Sequence, residues 1–160
     1  MDAFSRFYRN NKDRLYGYLL RMTAEPQLAL DLVQESFFRY LKRYGNRELS
    51  KPLLYTIARH AALDTLGRPR TTGIDADSCQ ASGNSPEQEV IHKERFNRML
   101  TAIARLTRAE RELISLVATA DLTYREMGQV LKISEANVKV RVHRVRTKLR
   151  KMLYVYSGGD

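Results

Sequence analysis

Cysteine occurs once in this chain of 160 residues, at Cys79. No internal disulfide can form, and no second thiol can join Cys79 on a metal or resolve it in a redox cycle. Cys79 therefore reads as an incidental thiol ahead of a redox sensor, in a protein of the reducing cytoplasm. Long apolar runs are missing as well, so no transmembrane span is expected, and the opening MDAFSRFYRNNKDR is amphipathic and charged, without the apolar core of a signal peptide. No internal repeat recurs at a fixed period. Acidic residues are scarce: 18 Asp and Glu face 28 Lys and Arg, a net charge of +10 with pI near 9.9, which favours a polyanionic partner. Carboxylates, His and Cys nowhere gather at catalytic spacing, which argues against an enzyme acting on nucleic acid. His60 and Asp64 stand four apart on a helical pattern, but two ligands without a third make a poor metal site. No metal or cofactor is expected.

What the chain does contain is clearest in residues 122–153. Thr123 and Glu126 form a capping box ahead of a short helix, residues 124–131, with Met127, Val130 and Leu131 at helical spacing. Lys132, Ile133 and Ser134 make a turn, Ser134 caps a second helix, and Val138, Val142, Val145 and Leu149 form its apolar stripe. The opposite face carries Lys139, Arg141, His143, Arg144, Lys148 and Arg150, with no acid between Val138 and Lys151. A basic helix face alone is often only a solvated surface. Two capped helices joined by three residues, the second cationic on one side, are a helix-turn-helix suited to DNA phosphates and base edges. Lys132 stands where such turns often carry Gly and is expected in the left-handed region; Gly128 is expected where the two helices approach closely.

The first half reads as three helices. Residues 3–22 place Phe4, Phe7, Tyr8, Leu15, Leu19 and Met22 on one side, an aromatic-rich stripe that reads as core and not as a stacking platform for bases. Asp2 can cap this helix, and Pro26 opens the next, which runs to about residue 44. In that second helix Asp31, Gln34, Glu35 and Phe38 share one face, while Leu30, Val33, Phe37 and Leu41 share another. By spacing alone the acidic face is a solvated surface first and a docking face for a basic partner second. Ser50 can cap a third helix, residues 52–66, with Leu54, Ile57, Ala58, Ala61 and Leu66 inward and Arg59, His60, Asp64 and Arg68 polar.

The segments DLVQESFFRYL and PLLYTIARHAALDTLGRPR, followed by the terminal helix-turn-helix, make this chain resemble a bacterial extracytoplasmic-function (ECF) sigma factor. The resemblance spans nearly the whole chain apart from its linker. It implies an all-α fold of two small helical domains joined by a flexible linker: sigma region 2 at residues 1–68, linker at 69–85, and region 4 at 86–156. It implies a non-enzymatic initiation factor that binds core RNA polymerase, directs it to promoters and helps open the minus-ten element. Asp31, Gln34, Glu35 and Phe38 would dock on the clamp helices of the largest polymerase subunit, which overrides the solvated reading of that face; region 4 would meet the flap region. Tyr55, Arg59, His60 and Arg68 match minus-ten positions, beside a loop at 44–50 that would hold an extruded base. Lys139, Val140, Arg141, His143 and Arg144 match minus-thirty-five positions. An anti-sigma factor is a further implied partner. The chain departs from the pattern at Leu53, where Trp is frequent, at His60, where Asn is frequent, and at Val140, where a small hydroxyl residue is frequent.

Residues 68–87 are rich in Gly, Ser, Thr, Asn and Asp and read as linker. Ser85, Pro86 and Gln88 then open a helix whose Val90, Ile91, Phe96, Met99, Leu100 and Ile103 are expected to form a packing face. Thr107 and Glu110 start another, with Leu113, Ile114, Leu116 and Val117 inward. The competing reading is a conventional helix-turn-helix regulator whose first half senses a ligand, but that half shows no effector pocket in its sequence.

Overall fold

The computed structural model describes residues 2–47, 49–67 and 86–156, and among these it has seven α-helices and no strand. The first three are α1 (Ala3–Thr23), α2 (Pro26–Tyr44) and α3 (Lys51–Leu66). Each begins where local chemistry dictates. The Asp2 carboxylate accepts from the Ser5 N–H at 2.7 Å, Pro26 occupies the first turn of α2, and the Ser50 hydroxyl accepts from the Leu53 N–H. Ala24 ends α1 in the left-handed region at φ 57°, its N–H returned to the Leu20 carbonyl.

The three helices close over Leu15, Tyr18, Leu19, Leu32, Phe37, Tyr40, Leu54 and Tyr55, all buried. Aromatic rings knit α1 to α2, with Tyr8 edge-on to Phe37 at 4.7 Å and Phe7 against Tyr40 at 5.5 Å, so the aromatic stripe is core as expected. In α2 the face that Leu30, Val33, Phe37 and Leu41 share is only partly buried. Ala29, Leu32, Val33, Ser36, Phe37 and Tyr40 are buried, whereas Leu30 and Leu41 are roughly half exposed, 49% and 46%.

The second group comprises α4 (Pro86–Ala104), α5 (Arg108–Thr119), α6 (Tyr124–Leu131) and α7 (Glu135–Tyr156). The capping boxes of α5 and α6 are both complete, each Thr side chain accepting from the N3 backbone while the N3 Glu accepts from the Thr N–H. The expected packing face of α4 is not formed. Only Ala102 is buried there, and Val90, Ile91, Phe96, Met99 and Leu100 are exposed, because α7 covers only part of that helix.

The two groups share a single apolar core. Leu113, Leu116, Met127, Val130, Val138, Val142 and Val145 belong to the same continuous cluster as Leu15, Tyr18 and Leu54. Helix α5 lies along α1, and α6 lies against α3. Each fully buried aliphatic side chain in such a cluster stabilises by roughly 1.5–3 kcal/mol.

Candidate nucleic-acid interface

Local chemistry sets the helix-turn-helix geometry. Lys132 caps α6 in the left-handed region at φ 59°, and the Ile133 N–H returns to the Gly128 carbonyl at 3.0 Å. Gly128 permits the crossing: a Cβ there would sit 2.6 Å from the Ile133 carbonyl oxygen. The Ser134 hydroxyl accepts from the Asn137 N–H at 3.1 Å, which starts α7. Val138, Val142 and Val145 are buried beneath α7, and Lys148 reaches back to Glu110 of α5 at 2.9 Å. That lysine holds the Glu110 carboxyl below the usual carboxylate range, aided by the Thr107 N–H.

With its apolar side anchored, α7 exposes Lys139, Val140, Arg141, His143 and Arg144 together. Arg141 is aimed by a bond from its Nε to the Asn137 Oδ1 at 3.0 Å, and Lys139 lies 3.7 Å from Glu135. Val140 is 46% exposed among these cations. A rigid cationic helix face with one apolar residue in its middle can neutralise phosphates and meet base edges at once.

On α2, Asp31, Gln34, Glu35 and Phe38 are all exposed, and Phe38 is among the most exposed large apolar residues described, at 61%. Leu30 and Leu41, turned outward, flank it. Gln27 donates to Asp31 at 3.2 Å and Arg39 to Glu35 at 2.7 Å, so the carboxylates are oriented by neighbours on their own helix. An exposed aromatic rimmed by carboxylates can offer apolar area together with charges that a basic surface would pair.

The residues matched to the minus-ten element do not come together on one open face. His60 is exposed. Tyr55 is fully buried, its ring 5.4 Å from that of Tyr18 and its hydroxyl without a hydrogen-bond partner among the described residues; burial pushes that phenol well above its ordinary range. Arg59 turns toward the second group of helices, its Nε donating to the Glu112 carboxylate at 2.7 Å. Arg68 and the linker with Cys79 lie outside the described residues, as does the Ser85 cap.

Two residues absent from the sequence expectations organise this junction. Glu112 is 6% exposed and takes Arg59 on one oxygen and the Tyr18 hydroxyl, at 3.5 Å, on the other. Asp121, left-handed at φ 52°, bridges Arg14 at 3.0 Å and Lys51 at 3.5 Å. The charge of Lys51, then the Arg14 hydrogen bond, holds the Asp121 carboxyl below its ordinary range. The partners lie 94 and 107 positions apart for Tyr18–Glu112 and Arg14–Asp121, beyond any local signal in sequence.

Among the described residues, an all-helical arrangement with a cationic helix-turn-helix on α6 and α7 and an acidic, aromatic-centred face on α2 has the make-up of a DNA-binding protein. Residues 7–71 match the family model for sigma-70 region 2, and residues 96–149 that for sigma-70 region 4. The chain is 30% identical over its full length to the ECF RNA polymerase sigma factor SigM of Bacillus subtilis, spanning 98% of that protein. It is 30% identical to the RNA polymerase sigma factor CarQ of Myxococcus xanthus, covering 95% of this chain and 90% of that one. In fold it is similar to the sigma factor RpoE of Bartonella quintana, solved with the anti-sigma factor NepR, with TM-score 0.73, 19% identity and coverage of 97% and 99%. CnrH, solved with the cytosolic domain of CnrY, aligns at TM-score 0.69 and 19% identity over 96% of this chain and 88% of that one. The chain belongs to the ECF RNA polymerase sigma factors: it is a promoter-directing initiation factor, and the conventional-regulator reading is not favoured.

Proposed function

We propose that residues 1–68 dock on core polymerase and engage the minus-ten element, that 69–85 link, and that 86–156 read the minus-thirty-five element. The acidic face of α2 is the carrying observation: Asp31, Gln34 and Glu35 stand exposed around Phe38 in a chain of net charge +10. The occupant of that face is the clamp of the largest polymerase subunit, whose basic groups would pair with the carboxylates while Phe38 is desolvated. Lys139, Val140, Arg141, His143 and Arg144 read the minus-thirty-five element. Arg59 and His60 serve the minus-ten element with Tyr55 and Arg68, and in the arrangement described here Arg59 is held by Glu112. Engagement of separated promoter elements therefore requires the two groups of helices to part. The factor performs no catalysis of its own, acts in the cytoplasm, meets the polymerase flap through its second half, and is held in check by an anti-sigma factor.

In vitro transcription with purified core polymerase tests this reading. Protein-dependent transcripts from a promoter library are expected, and the Asp31→Ala, Glu35→Ala variant should reduce them at least tenfold, about 1.4 kcal/mol or more of docking energy, while its DNA binding through α7 stays intact. Transcripts undiminished in the variant would remove α2 from the docking role.

A further inference from the structure

A cleft of about 330 Å³ lies where the end of α1 and the end of α3 meet the start of α5. Arg21, Met22 and Leu66 line it from the first group of helices, and Arg108, Arg111 and Glu112 from the second. None of its three arginines forms an ion pair with a described residue. Arg21 donates instead to the Gly17 carbonyl at 3.3 Å, and its guanidinium is pulled below its ordinary range by burial. The one carboxylate present, Glu112, is already committed to Arg59 and Tyr18. The amino end of α5, a 12-residue helix, adds its positive dipole end at Arg108. At the facing carbonyl end of α1 the Ala24 N–H covers the Leu20 carbonyl. Three arginines, none ion-paired to a described residue, therefore line one concave space beside a single carboxylate.

We propose that this cleft binds a compact phosphorylated metabolite carrying two or more phosphate groups. Guanidinium forks match phosphate oxygens in bidentate geometry, and three of them suit a polyphosphate better than a single carboxylate. The volume exceeds what one phosphate fills and falls in the range of small-ligand sites. The ligand touches both groups of helices, so it binds their closed arrangement in preference to the parted one, and promoter engagement becomes sensitive to its concentration.

Calorimetric titration of the full chain with inorganic tripolyphosphate tests the site, with duplex DNA titrated in parallel. One saturable site is expected. Arg108→Gln with Arg111→Gln should weaken it about tenfold or more, as the loss of charge-assisted bonds requires. Arg21→Gln should weaken it by itself; that residue lies on the other group of helices, so a folding defect around α5 does not imitate the effect. The charge-matched pair Arg6→Gln, Arg9→Gln, on the exposed side of α1, should change affinity by less than about twofold if the site is local and not diffuse. Equal weakening by both pairs would mean diffuse attraction and overturn the proposal. So would an equal loss of duplex affinity in the Arg108, Arg111 variant, which would make the cluster a DNA-backbone contact.

Discussion

Replacing Glu112 with Gln keeps the shape of the side chain and removes its charge, which makes it a sharp probe of the junction between the two groups of helices. Glu112 is almost wholly buried and Arg59 about three-quarters so, with 2.7 Å between Nε and Oε1. Removing one partner of a fully buried pair costs roughly 3–5 kcal/mol. Two features lower that figure here: Arg59 retains some contact with water, and the amide oxygen still accepts a neutral hydrogen bond. The remaining loss is the charge assistance of one bond, about 1.5 kcal/mol, so the ratio of closed to parted forms should fall about tenfold. The Asp121 bridges to Arg14 and Lys51 are solvent-exposed and screened, so Glu112 dominates the polar part of the junction. Single-molecule energy transfer between dyes at Lys42→Cys on α2 and Gln129→Cys on α6, in a Cys79→Ser background, reads the ratio directly. A longer-distance population that grows about tenfold supports the argument. An unchanged distance distribution with a lowered melting temperature would refute it, because Glu112 would then stabilise the fold without governing the junction.

Gly128→Ala should destabilise the second group of helices by about 1–3 kcal/mol, since its Cβ would meet backbone, the Ile133 carbonyl, at 2.6 Å; thermal melting followed by circular dichroism checks this, and an unchanged melt would mean the α6–α7 crossing can widen. Asp121 titrates below the ordinary carboxylate range, so its contribution to the closed form is complete above that range and disappears as pH falls through its depressed value; the same dye pair in an acid titration should show parting, and Asp121→Asn should lose that part of the pH response. Val140→Ser should change base preference within the minus-thirty-five element at a thymine position by about 1 kcal/mol or more, measured by selection from randomised duplexes, and an unaltered preference would show that Val140 does not meet a thymine methyl.

How much of this was legible beforehand depended on whether the signal was local. The caps at Asp2, Ser50, Thr107, Thr123 and Ser134 each involve a residue and a backbone group three positions away, so they can be read along the chain. The left-handed Lys132 and the close approach at Gly128 follow in the same way from a short turn. The acidic face of α2 and the cationic face of α7 are helical periodicity and survive intact. Spacing put Leu30 and Leu41 on one face with Val33 and Phe37, yet only the latter two are buried, which periodicity alone does not decide. The apolar face of α4 misled for a related reason: periodicity says which residues share a side, not whether another element covers it.

The sequence by itself determined the helices, their ends, the helix-turn-helix and the sign of charge on each exposed face, because all of these arise from interactions within about one or two turns of chain. Only the tertiary structure decided that α1 and α3 pack on α5 and α6, that Tyr55 and Arg59 turn away from solvent, and that Arg21 of α1 shares one cleft with Arg108 and Arg111 of α5. Those outcomes depend on contacts such as Tyr18 with Glu112, whose partners are brought together by burial of a shared core and not by any pattern along the chain.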